Sequence, residues 1–145
     1  MNNSDLIRDW YQQVWNGKNE AYIDKYIAPN CVAHGLLDEN NEEITGPEKF
    51  KGLYRKFISS FPDIKFSVLH VVNEGNKTAA LVEATFTHNG EAFEAFPGKT
   101  IHATGNQVAI TGMTLTIIIN GQIQEAWNCF DFLTRDAMLG AIQVS

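Results

Sequence analysis

The chain has 145 residues, 44% hydrophobic and 19% charged, with a formal net charge of -6. One domain over residues 1–145 suits that length, and the apolar fraction is too high for a disordered chain. Eleven Lys and Arg against seventeen Asp and Glu exclude a nucleic-acid groove and argue against docking on an anionic membrane. No apolar run approaches the roughly 18 residues of a membrane-spanning helix. The start, MNNSDLIRDW, lacks the basic and apolar regions of a secretory signal. The expected location is therefore cytoplasmic, and the sequons at Asn2 and Asn76 carry no meaning.

Leu6, Ile7, Trp10, Tyr11 and Val14 recur at helical spacing behind the capping candidates Asn3 and Ser4, and Asn16-Gly17 ends that helix. A short second helix carries Ala21, Tyr22, Ile23, Tyr26 and Ile27 and stops at Pro29-Asn30. Cys31 to Leu37 reads as a strand, followed by the acidic loop DENNEE. Gly46-Pro47-Glu48 opens the strongest helix, since proline suits a first helical position. Its stripe of Phe50, Leu53, Tyr54, Phe57, Ile58 and Phe61 needs a broad apolar partner, and Pro62 ends it. Ile64 to Glu74 alternates, with Ile64, Phe66, Val68, His70 and Val72 on one face. Thr78 to His88 alternates again. Val108 to Ile119 is long and β-branched, and Asn120-Gly121 is a hairpin signal before the strand Gln122 to Phe132. A last helix begins near Thr134. Helices followed by mostly antiparallel strands give an α+β class, with one bent sheet wrapped around the long helix.

The chemistry-bearing residues are few. Cys31 and Cys129 sit in apolar stretches and read as small buried hydrophobes, not as a disulfide or zinc site. Gly98-Lys99-Thr100 lacks the glycine five residues earlier that a phosphate loop needs, since Phe93 stands there. The four histidines show no metal-ligand spacing. Glu125, Trp127, Cys129 and Asp131 share one strand face. Glu125 and Asp131 lie roughly 20 Å apart along it, too far for the paired carboxylates of a glycosidase. Asp131, between Phe130 and Phe132, would become a general acid–base with a raised pKa if it faced a dry cavity. Otherwise it is an exposed carboxylate at a strand end. His34 follows an apolar run and His88 ends a strand. Trp10, Trp15, Tyr54, Phe57 and Phe61 form core, and some of them line a pocket between helix and sheet.

Six segments carry a family resemblance: VWNGKN (14–19), YIAPNCVAHG (26–35), GPEKFKGLYRKFISSFPD (46–63), THNGE (87–91), TGNQVAITGM (104–113) and INGQIQEAWNCFDFL (119–133). In this order the chain resembles the SnoaL-like polyketide cyclases, in the nuclear-transport-factor-like superfamily of cone-shaped α+β domains. The resemblance implies a long bent antiparallel sheet closed by helices around a deep pocket, as in a cystatin-like α+β barrel, and a homodimer made through the sheet. It implies intramolecular aldol ring closure of a polyketide ester without metal or cofactor. The family's catalytic aspartate matches Asp131, four residues after the tryptophan matching Trp127, and its pocket histidine matches His34. Trp15, Tyr54 and His88 fall in segments that line the pocket, and Phe57, Met113 and Trp127 complete the expected substrate-binding set.

The strand Met113-Thr114-Leu115-Thr116-Ile117 reads as a greasier inward face than cyclases show, and GEAFEAFPG (90–98) as an apolar lid. Two readings follow. In the first, Asp131 drives acid–base ring closure on a small apolar carbonyl compound, with His34 orienting it or donating to the enolate. In the second, the pocket binds an apolar metabolite without chemistry. An isomerase or hydratase of the same superfamily would use the same kind of chemistry, but no second acid stands within reach.

Overall fold

Asn2 opens the fold: its Oδ1 accepts the Asp5 N–H at 2.8 Å, so the cap lies one residue before the expected Asn3 and Ser4. In the computed structural model, which describes residues 1–38 and 40–143, α1 (Asn3–Trp10) widens without a break into a π-helical run, Tyr11–Asn16. Asn16 then acts as a false strand neighbour. Its amide donates to the Phe66 carbonyl at 2.8 Å and its Oδ1 accepts the Phe66 N–H at 2.7 Å. Lys18 caps the same junction through the Trp15 and Ile64 carbonyls, both at 2.6 Å.

The helix α2 (Ala21–Tyr26) is shorter than its apolar pattern suggests, because Ile27 already begins β1 (Ile27–Leu37). Pro29 therefore lies inside a strand. It occupies the irregular stretch of pairing between Ile27 and Val32, where no ladder N–H is required. Strand β2 (Glu43–Thr45) leads into α3 (Gly46–Ser60), with Pro47 in its first turn. Glu39, in the acidic loop before β2, lies outside the described residues. Phe50, Leu53 and Tyr54 are buried along α3 and Phe61 closes it. Each such side chain contributes about 1.5–3 kcal/mol when taken from water.

The remaining strands are β3 (Lys65–Glu74), β4 (Lys77–Thr87), the short pair β5 (Phe93–Phe96) and β6 (Lys99–Ile101), β7 (Gln107–Ile119) and β8 (Gln122–Phe130). The six-stranded sheet runs β2-β1-β8-β7-β4-β3. Only β1 and β8 pair in parallel, so the α+β, mostly antiparallel expectation holds. The sheet is curved but its edges, β2 and β3, do not meet: it is an open cone rather than a closed barrel. Asn120 and Gly121 both take positive φ, 53° and 73°, as a two-residue hairpin between β7 and β8 requires.

Two strand readings change. A bulge between Val68 and His70 breaks the even alternation of β3. Phe66 points inward, but His70 and Val72 are exposed, Val72 at 68%. On β7 the inward residues are Val108, Ile110, Thr114, Thr116 and Ile118, while Met113 and Leu115 are exposed. Over Met113 to Ile117 the inner face thus carries the two threonine hydroxyls, flanked by Ile110 and Ile118, while Met113 and Leu115 face out. Cys129 is also exposed, whereas Cys31 is buried as expected.

Candidate functional site: a cavity between helix and sheet

Alternation decides which residues see the interior. Ala126, Asn128 and Phe130 of β8 face inward, toward α1 and α3. Gly112 on β7 sits directly opposite Phe130, and a Cβ there would fall 2.2 Å from the Phe130 ring. Glycine lets that ring lie flat over the strand and wall a cavity of about 90 Å³. One water needs roughly 10–15 Å³ of such space, so the volume takes several waters or one small molecule. Trp10, Trp15, Phe50 and Phe66 supply much of the apolar wall. They lock together ring on ring, Trp10 edge to face on Phe50 at 5.2 Å and Trp15 tilted on Phe66 at 5.2 Å.

Few polar groups enter this space. The Tyr11 phenol is driven up to about 12 by burial, with the Thr114 side chain hydrogen-bonding it in opposition. It is therefore a neutral hydroxyl throughout the physiological range. Thr116 donates to the Thr78 carbonyl at 3.0 Å. Asn128 donates to the His34 carbonyl at 2.9 Å, which leaves its amide further hydrogen-bonding capacity. The Cys31 thiol, pushed up to about 11 by burial and the Glu125 charge, is protonated and weakly nucleophilic. Among the described residues no Asp, Glu or His lines this cavity.

Asp131 lies between two cavity-lining rings, Phe130 and Phe132, yet its own carboxylate is exposed. It is the N-cap of α4 (Phe132–Leu139), accepting the Thr134 N–H at 3.1 Å and its hydroxyl at 2.6 Å. Those bonds hold it below the usual carboxylate range. The dry surroundings that a raised pKa would require are absent, and the alternative of an exposed carboxylate at a strand end describes the group: it is wet, bonded and ionised. The sequence signal was present in Asp131-x-x-Thr134 ahead of a helical run.

His34 is also on the outer face of the sheet. It stacks on Trp127 at 5.3 Å. Its Nε2 lies 2.7 Å from Glu125 and its Nδ1 3.1 Å from Glu43. The Glu125 hydrogen bond, with the Glu43 charge behind it, raises its pKa. His34 pairs with Trp127 in register, four residues from Asp131, or roughly 13 Å at about 3.3 Å per residue. The two are not brought together.

The other expected contacts divide. Trp15 and Phe57 line the cavity. Tyr54 is buried behind Trp15, ring to ring at 5.2 Å, and is not part of the wall. Met113 and Trp127 point outward, 53% and 36% exposed. His88 is fully buried against Phe61 at 5.3 Å, where its Nε2 bonds the Glu91 carbonyl at 2.9 Å. Its Nδ1 has no hydrogen-bond partner among the described residues. Tyr11, Thr114, Asn128 and Arg135 form the polar lining that the sequence reading missed. The phase of β8 would have exposed it, since an inward Phe130 forces an inward Asn128. No group of three or more His, Cys, Asp or Glu suited to a metal occurs among the described residues.

The sequence pattern of the SnoaL-like polyketide cyclase family matches residues 5–137. The chain belongs to that family. Solved structures agree. IdmH from Streptomyces antibioticus, assigned as a polyketide cyclase, is 26% identical with a TM-score of 0.76, over 94% of this chain and 97% of that one. AclR from Streptomyces galilaeus, assigned as a hydroxylase, is 22% identical with a TM-score of 0.77, over 97% and 85%. TsrD from Streptomyces laurentii is 19% identical with a TM-score of 0.79, over 98% and 99%. Among curated proteins none matches. Proteins assigned to such different tasks share this fold, so function rests on the cavity's own lining.

Proposed function

We propose that this SnoaL-like protein binds a small, largely apolar carbonyl compound in the cavity between α1, α3 and the sheet. The supporting observation is the lining: aromatic walls with the Tyr11–Thr114 hydroxyl pair and the Asn128 amide on one side. A carbonyl oxygen placed against those donors is held, and any negative charge developing on it is stabilised in a dry site. Such donors serve a carbonyl ligand and reject a hydrocarbon that leaves them unpaired. The test is affinity for matched probes. An apolar ketone such as 2-octanone should bind more tightly than octane, and Tyr11→Phe should erase the difference. Equal binding of both by the native protein would defeat the proposal.

Family membership favours a second step, cofactor-independent ring closure of a polyketide-type ester in the same cavity. Asp131 is its candidate base, with His34 as candidate orienting group. Asp131 would need the first turn of α4 to open, because its carboxylate is engaged with Thr134. A β-keto ester turned over by the native protein and not by Asp131→Asn, with ligand affinity intact, supports ring closure. Turnover unchanged in Asp131→Asn removes that aspartate from it. We further propose that the outer sheet face, with Val72, Met113, Leu115, Ile119 and Trp127 exposed on β3, β7 and β8, seats a second copy of the chain. One strip of sheet packing on its own symmetry mate makes an isologous dimer.

A further inference from the structure

A second cavity, of about 200 Å³, adjoins the first. The two share Leu36, Leu53, Phe57, Phe132 and Arg135 as walls, so the outer cavity stands against the inner one across those side chains. The lining of the second cavity differs in kind, because two cations face it. Arg135 on α4 is only 5% exposed. Its Nε donates to Asp136 at 2.8 Å and one Nη2 hydrogen to the Ala95 carbonyl at 2.8 Å. Its guanidinium lies over Phe132 at 4.2 Å and Phe93 at 5.2 Å. A guanidinium carries five N–H donors, and those not spent on Asp136 and Ala95 have no protein acceptor among the described residues. Lys56, half-buried on α3, rests its ammonium on the other partner of Arg135, the Phe93 ring, at 4.9 Å.

Lys56 is the informative group. Among the described residues no carboxylate oxygen lies within 4.0 Å of its Nζ. The neighbouring acids are already engaged. Asp136 is held by Arg135, Asp38 caps the N–H groups of Asn40 and Glu42 at 2.8 Å, and Glu94 accepts from Asn41 at 3.2 Å. Glu94 attracts the ammonium, yet burial and the Arg135 charge outweigh it enough to lower the Lys56 pKa. Two partly desolvated cations share one ring, and Lys56 has no ion-pair partner among the described residues; a planar anion would relieve them.

Resting on the proposed binding of an apolar carbonyl ligand in the inner cavity, we infer that the ligand is an amphiphilic carboxylate. Its chain, with a carbonyl group held by Tyr11, Thr114 and Asn128, occupies the inner cavity and its carboxylate sits between Lys56 and Arg135 in the outer one. The acid head would use the spare guanidinium N–H groups in a fork and the ammonium as a point charge.

Calorimetric titration of 7-oxooctanoate and its methyl ester into the full chain tests this. The native protein should bind the acid about tenfold more tightly than the ester, the scale of one charge-assisted contact. Lys56→Gln replaces a half-buried side chain of α3 by a neutral polar one and should keep the fold, which a thermal melt checks. It should reduce the preference to about threefold or less, with acid affinity falling more than ester affinity. Arg135→Lys, which keeps the charge and loses the fork, should also narrow it. Equal affinities in the native protein, or a preference that survives Lys56→Gln, would overturn the carboxylate inference and leave the apolar-cavity reading standing. Binding of neither probe would overturn both.

Discussion

At the scale of single residues, Asp131 is an exposed helix cap and Tyr11, read from the sequence as one of a helix's apolar stripe, lines the cavity. Asp131 is the catalytic residue that the resemblance implies, and its carboxylate caps α4. Asparagine caps a helix about as well as aspartate and alanine does not. Thermal melts should therefore rank native and Asp131→Asn together and Asp131→Ala below them. An Asp131→Asn variant as unstable as Asp131→Ala would show that charge, not capping, is what matters there. Tyr11 carries no motif, yet it brings the most protected hydroxyl into the cavity. Its phenol is raised to about 12 by burial from an unfolded value of about 10. Its contribution to stability is whole below pH about 10 and is lost as pH climbs through the folded value. Tyr11→Phe should flatten that alkaline loss. His34 behaves with the opposite charge. Glu125, then Glu43, raise its pKa, so its contribution is present below about pH 6.5 and fades as pH rises through the raised value. The melting advantage of native protein over His34→Gln should be larger near pH 6 than near pH 9. An advantage independent of pH would mean that stacking on Trp127, not the ion pairs, holds the ring.

At the scale of elements, helix positions were legible because Pro47, Pro62 and the apolar stripe of α3 mark their own ends. Strand existence was legible too, from alternation and from Asn120-Gly121. Strand phase was not. Which face of β7 looks inward depends on Gly112 opposite Phe130, a pairing that no local pattern reveals. That one fact moves Met113 outside and Thr114 inside. The bulge after Val68 hides the phase of β3 in the same way. Gly112→Ala tests the pairing directly. Its Cβ would fall 2.2 Å from the Phe130 ring, so the ring must swing into the cavity, at a cost of about 1–3 kcal/mol. Urea unfolding should show that loss together with weaker ketone binding. Native-like stability would mean that the Phe130 ring does not lie over Gly112.

At the scale of the whole molecule, the α+β cone was readable from element order and from the resemblance, while the division of its surfaces was not. The sheet has a dry inner face with a few hydroxyl and amide groups. Its outer face carries Val72, Met113, Leu115 and Trp127 in the open, beside the His34–Glu125 pair. Apolar area of that kind marks an interaction surface. Sedimentation of native protein at micromolar concentration should report a dimer, and Leu115→Lys, placed in the middle of the face, should report a monomer. A native monomer would leave the outer face without its second copy.

The central claim is that ligand enters between helices and inner sheet, and the three tryptophans report on it. Trp10 and Trp15 line the cavity, while Trp127 lies on the opposite face, stacked on His34. Titration of ¹⁵N-labelled protein with 2-octanone, followed at the three indole N–H resonances, is the most direct measurement. The account predicts saturable shifts of Trp10 and Trp15 with Trp127 unmoved. Shifts confined to Trp127, or no shift at any indole, would contradict it.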